Sequence, residues 1–118
     1  MPTINFELPW PPSANHYWRR NGGIYFISAK GVAYRNLTSV ECFPYKGFFA
    51  AKERLSVKIE AFPPDRRRRD LDNILKCLLD SLQKAGVYAD DSQIDYIQLV
   101  RRSELLGKVS VTIEEIAR

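Results

Sequence analysis

Leu71-Asp72-Asn73-Ile74-Leu75-Lys76-Cys77-Leu78-Leu79-Asp80-Ser81-Leu82-Gln83-Lys84-Ala85-Gly86 has the clearest periodicity in this chain. Its apolar residues Leu71, Ile74, Leu75, Leu78, Leu79 and Leu82 return at the three- and four-residue steps that put them on one stripe of a helix. Gly86 stands where a helix commonly ends, because glycine accepts the left-handed turn that closes it. The spacing predicts an amphipathic helix over 71–85, which needs an apolar surface to lie on.

That surface is written upstream. Leu55, Val57, Ile59 and Ala61 alternate with Ser56, Lys58 and Glu60 until Pro63-Pro64, the pattern of a half-buried strand. Ile4, Phe6 and Leu8 alternate in the same way over 3–8, and Pro9, Pro11 and Pro12 are expected to end that strand. Asn21-Gly22-Gly23 is a turn signal leading into a short strand over 24–27 that folds back as a hairpin arm. Ser28 offers an N-cap, and Val32, Ala33, Leu37 and Val40 predict another helix from 29 to about 42, before Pro44. Two last strands are expected over 93–101 and 108–114. The order of elements implies an α+β fold, a mixed sheet with two helices packed on it. A length of 118 residues with 45% apolar content suffices for one core and one domain, 1–118.

Lys and Arg number 18 against 14 Asp and Glu, so the net charge of +4 is a weak argument for a polyanionic partner. Its distribution says more. No acid occurs between Glu7 and Glu41, where Arg19, Arg20, Lys30 and Arg35 are interleaved with Trp10, Tyr17, Trp18, Tyr25, Phe26 and Tyr34. Cys42 and Cys77 lack metal-ligand spacing and read as reduced core thiols in helix interiors. His16 is the only histidine, which excludes a histidine zinc cluster within one chain. The amino terminus lacks the pattern of a signal peptide and no apolar run is long enough to span a bilayer, so a cytoplasmic protein is expected.

Chemistry concentrates in Asp65-Arg66-Arg67-Arg68-Arg69-Asp70-Leu71-Asp72-Asn73. Asp70 and Asp72 emerge together where a loop meets the helix, and Asp90-Asp91 opens a loop past the other end of that helix. Magnesium takes oxygen ligands, keeps several waters and is held by only one or two carboxylates plus substrate phosphate, so three aspartates, Asp70 and Asp72 with a carboxylate of the Asp90-Asp91 pair, suffice for one or two ions. Lys76, one turn beyond Asp72, has the charge to meet a scissile phosphate. Ordinary roles compete: Asp70 is a good N-cap, Asp72 suits the positive end of a helix, and Asp72 with Lys76 makes an i,i+4 pair. Arg66, Arg67, Arg68 and Arg69 are able to neutralise phosphates, although short basic runs are often solvated loops. Four arginines abutting a carboxylate pair make better sense as a clamp delivering a polyanion to metal. Asn73 is placed to orient water or phosphate, and Asp80 is expected to pair with Lys84 outside the site. Tyr17, Arg19 and Arg20 are read as DNA contacts, and Trp18 as core.

The strings Leu8-Pro-Trp10-Pro-Pro-Ser13-Ala-Asn15-His-Tyr17, Ser28-Ala-Lys-Gly-Val-Ala-Tyr34-Arg35, Pro64-Asp-Arg-Arg-Arg-Arg-Asp70-Leu-Asp72-Asn73-Ile-Leu-Lys76 and Lys84-Ala-Gly86-Val-Tyr-Ala-Asp90-Asp91 closely resemble the RusA family of Holliday junction resolvases. The likeness runs in order through most of the chain and is weakest over 43–52 and 103–107. It implies that Asp70, Asp72 and Asp91 are metal-binding catalytic aspartates, that Lys76 is an essential lysine, and that Asn73 and Arg69 are further site positions. The family motif stresses the second acid of the Asp90-Asp91 pair. The likeness also implies a homodimer acting with Mg²⁺, or with Mn²⁺ in its place, on four-way DNA junctions, in a family associated with phage and prophage genomes. Symmetry supports the dimer independently, because a junction presents two like strands and this chain has one candidate site. Asn15, Tyr17, Arg19, Arg20, Asn73 and the four arginines are the expected DNA contacts. The competing functions are metal-independent binding of structured nucleic acid and, less compatible with so small a fold, nucleotide-sugar transfer.

Overall fold

In a computed structural model of the chain, which describes residues 2–116, the alternation around Val57 becomes the strand β4 (Leu55–Phe62). The other elements are β1 (Thr3–Pro9), α1 (Ala14–Tyr17), β2 (Trp18–Asn21), β3 (Ile24–Ile27), α2 (Ala29–Glu41), α3 (Leu75–Lys84), β5 (Ile94–Arg101) and β6 (Lys108–Glu115). One four-stranded sheet runs in the order β1-β6-β4-β5, with β4 and β5 parallel and the other pairs antiparallel. β2 and β3 form a separate hairpin.

Register builds the core in rows. Across β1, β6 and β4, Ile4, Ile113 and Val57 share one row, Phe6, Val111 and Ile59 the next, and Leu8, Val109 and Ala61 a third. Period-two alternation sends all of these to one face, where they join Tyr34 of α2 and Cys77, Leu78 and Leu82 of α3 in one buried cluster. Among the described residues no helix is long and apolar enough to cross a membrane.

The stripe that began the reading splits at its start. Residues Leu71–Ile74 form a 3₁₀ turn, with the Asn73 amide donating to the Asp70 carbonyl and the Leu75 amide to that of Asp72, and α3 follows. β1 ends at Pro9 as expected, and Pro9 as its last residue still pairs with Lys108, which is tolerable because β1 is an edge strand. Ser28 caps α2 as expected, accepting from the Gly31 amide at 3.1 Å. A Cβ on Gly31 would lie 2.6 Å from Ile27 Cγ2 and 2.8 Å from Tyr17 Cδ1, so α2 approaches α1 this closely only through glycine. Both cysteines are buried free thiols, but Cys42 closes α2 instead of lying within it. Burial pushes each thiol up to about 12.

Candidate active site

Parallel neighbours require a long crossover, and here the connection from β4 through α3 to β5 carries every acid singled out above. It opens with the arginine run. Asp65 accepts the Arg67 amide at 2.9 Å and pairs with Arg69 Nη1 at 2.7 Å. The Arg69 bond, helped by that amide, lowers the Asp65 carboxyl to about 2. Arg69 also donates to the Asp65 and Arg67 carbonyls and lies over the Trp10 ring, 5.9 Å from its centroid, while Arg101 Nη2 donates to the Arg69 carbonyl at 2.6 Å. Arg69 therefore pins the loop. Arg66 and Arg68 make no hydrogen bond or ion pair among the described residues, and Arg67 has only a 3.8 Å contact with Asp65. The run thus divides into one structural arginine and three outward ones.

Asp70 occupies the position before the 3₁₀ turn but its side chain caps nothing. Asp72 and Lys76 are exposed, and among the described residues neither takes part in an ion pair, with the other or elsewhere. The helix-cap and i,i+4 roles open to these aspartates are not realised. Asp80 behaves oppositely. The expected pair with Lys84 does not form; Asp80 instead accepts from the Tyr17 hydroxyl and from Arg35 Nη2 at 2.6 Å, and Arg35 Nε reaches the Tyr17 oxygen at 2.8 Å. An arginine on α2 faces α3 there, whereas Lys84 stays on the solvent side. Burial opposes ionisation of Asp80, but these hydrogen bonds outweigh it and hold its carboxyl below the ordinary 3.8. Tyr17 is itself 0% exposed. The reading of Tyr17 as a DNA contact is corrected, since its ring is packed and its hydroxyl is spent on Asp80.

Past α3, Asp90 and Asp91 also divide. Asp90 caps the 3₁₀ turn Asp91–Gln93, accepting the Ser92 amide at 2.8 Å, and that amide holds its carboxyl below the ordinary range. Asp91 is held through its backbone, its amide donating to Gln83 Oε1 at 2.9 Å. Gln93 is 2% exposed and fully engaged, accepting from the Ala89 and Asp90 amides and donating to the Ala50 and Glu53 carbonyls. Sequence reasoning missed both glutamines: Gln93 stands three residues after Asp90, the capping-box spacing, whereas nothing in the spacing of half-buried Gln83 announces its role.

Among the described residues no three His, Cys, Asp or Glu side chains gather to hold a metal ion. Asp72 precedes α3 and Asp91 hangs from the Gln83 side chain in its last turn, and the helix from Leu75 to Gln83 rises roughly 12 Å at 1.5 Å per residue. The donors at each end are carboxylates without soft ligands. They fit a hard cation that keeps most of its waters, and not a closed structural site.

Beside Asp70 lies a groove of about 970 Å³ between the β1–α1 loop and α2. Asn73, Arg67 and Arg68 line it, together with Lys30, His16 and Trp10, which sequence reasoning left out of the site. A second recess, of about 530 Å³, brings Asn15, Arg19 and Arg20 together beneath the hairpin, where Arg20 lies over Tyr25 at 5.6 Å. α1 separates the two, lining the first with His16 and the second with Ala14 and Asn15. Arg101 and Arg102 extend the cationic surface from a third recess against the arginine loop.

Acids left unpartnered beside outward arginines suit cutting a polyanion better than merely holding it, and the class this defines is a small α+β nuclease. Residues 9–114 match the family described as Endodeoxyribonuclease RusA. The chain is similar to the crossover junction endodeoxyribonuclease of Enterobacteria phage HK97, with 46% identity over 117 residues and 98% of each chain covered. It is likewise similar to those of Shigella sonnei (strain Ss046), at 42%, and Escherichia coli (strain K12), at 39%, each again with 98% of both chains covered. The chain belongs to the RusA family of endodeoxyribonucleases.

Proposed function

We propose that the chain is a Holliday junction resolvase, a cytoplasmic homodimer that places paired nicks in four-way DNA junctions during recombination and repair, using Mg²⁺ or in its place Mn²⁺. The observation that carries this is the pair Asp70 and Asp72, two carboxylates that the fold itself leaves unused beside outward arginines. The relatives are named for crossover junctions, and phage members among them fit a prophage origin.

Asp70, Asp72 and Asp91 would hold the metal, which when bound supplies an activated water and neutralises charge developing on the phosphate. Lys76 offers its ammonium to the scissile phosphate or the departing oxygen. Asn73 orients the strand. Arg66, Arg67 and Arg68 take phosphates, on a loop that Arg69 keeps in shape, and Asn15, Arg19 and Arg20 meet a junction arm. Because Asp91 stands at the far end of α3 from Asp72, the set is completed in the dimer, with Asp91 coming from the second copy.

The test is cleavage of a synthetic mobile four-way junction with Mg²⁺ by the native protein and by Asp72→Asn. Paired nicks by the first and none by the second are expected, and equal cutting would sink the mechanism. Mixing Asp72→Asn with Asp91→Asn tests the shared site. A heterodimer with shared sites regains one intact site and nicks one strand, whereas sites built within one chain leave every mixture inactive.

A further inference from the structure

The groove at Asp70 has something that phosphate binding does not require, apolar walls. Trp10 and Pro12 form one wall and Ala33 and Leu37 of α2 the other, with Lys30 and Arg68 also lining the groove. Leu37 is 40% exposed there, so the chain itself does not fill the space. The walls are preformed. The Tyr34 hydroxyl donates to the Pro9 carbonyl at 2.7 Å, tying α2 to the end of β1, and the Trp10 amide donates to the Gly107 carbonyl at 3.0 Å. Phosphates need only exposed cations, whereas a cation-lined cleft with apolar walls suits an aromatic ring attached to a phosphate chain.

We propose that this groove seats one unstacked nucleobase of the cleaved strand, with Lys30 and Arg68 on its flanking phosphates and the following phosphate directed toward Asp70. The proposal deepens the junction-cutting reading and rests on it. The branch point of a junction is where unstacking costs least, as it does for any base already poorly paired. Capture there would fix which phosphate reaches the carboxylates, a selection that surface arginines cannot make because every phosphate looks alike to them.

The experiment replaces each nucleotide around the mapped cut, one at a time, by an abasic residue, and measures single-turnover cleavage by the native protein and by Ala33→Trp. That substitution fills the groove from its α2 wall and leaves every acid and cation in place in the sequence. At one position the abasic junction should be cut about tenfold more slowly by the native protein, in line with the loss of one stacked base. Ala33→Trp should cut the intact junction about tenfold more slowly and gain nothing further from the abasic change at that same position, the non-additivity of two changes to one contact. Thermal melting checks that the variant is folded, and Leu37→Trp on the same wall serves if it is not. Normal cutting at every abasic position, or a variant effect that simply adds to the abasic effect, overturns the nucleobase seat while leaving junction cleavage standing. A native protein that cuts no junction overturns the underlying function instead.

Discussion

Asp72 and Asp80 lie two turns apart in one helical segment and have opposite fates. Asp80 is enclosed between Tyr17 of α1 and Arg35 of α2, and both hydrogen-bond to its carboxylate. Asp72 is exposed and, among the described residues, its carboxylate has no such partner. An acid that knits three elements together is already used, and displacing its partners would leave Arg35 half-buried and unpaired. An acid that knits nothing contributes little to stability and is free to take a ligand. The same division recurs in Asp90 against Asp91 and in Arg69 against Arg66 and Arg68.

The largest break in the comparison should come from Asp72→Asn, which is expected to lower single-turnover junction cleavage on the order of 10³-fold, the scale of removing one group that meets transition-state charge. Its urea midpoint should match the native value. A comparable loss of stability would erase the distinction between the two aspartates.

Asp80→Asn should do the reverse. Loss of charge-assisted bonds to Arg35 and Tyr17 is expected to cost about 2 kcal/mol in urea unfolding, with cleavage falling only as far as the folded fraction falls. Cleavage lost from a fully folded Asp80→Asn protein would move Asp80 into the chemistry.

Among the arginines, Arg66→Ala with Arg68→Ala should flatten the dependence of log K on log salt by about 1 for each phosphate contact removed. Arg69→Ala is expected instead to loosen the loop, read as faster amide exchange over 65–69. A steeper slope change from Arg69 than from Arg66 and Arg68 would reverse their roles.

The mildest probe is acid. The folded-state pKa of Asp80 is below the ordinary 3.8, so on acidification the unfolded chain takes up the proton first. The stability due to Asp80 is therefore complete well above pH 3.8, declines as pH falls through that value, and is lost below the folded pKa. Native protein should lose stability faster than Asp80→Asn across that window, and parallel acid titrations would count against the pair.

The strands, both principal helices and the hairpin were legible because period and punctuation are local properties. Alternation at Ile59 and the stripe at Leu78 read the same before and after folding. The 3₁₀ turn at Leu71 was not legible, because its apolar residues suit either kind of helix. Asp70 and Asp72 could be singled out by their adjacency to arginines, yet sequence left open whether they capped or paired. Tyr17 was misplaced because aromatic residues beside arginines look alike whether they face DNA or a neighbouring helix. Lys30 carried only the general signal of its basic segment and Arg101 none, since each reaches the site from a separate element.

The sequence by itself determined the strands and the two principal helices, the sided sheet, the family and the segment where the chemistry lies, because these follow from residue periodicity and from order along the chain. Tertiary structure alone decided which charges are spent. Pairing depends on distances between elements far apart in the chain, and only the packing of α2 on α3 and the length of α3 commit Asp80 to Arg35, leave Asp72 unpartnered and hold Asp91 away from it.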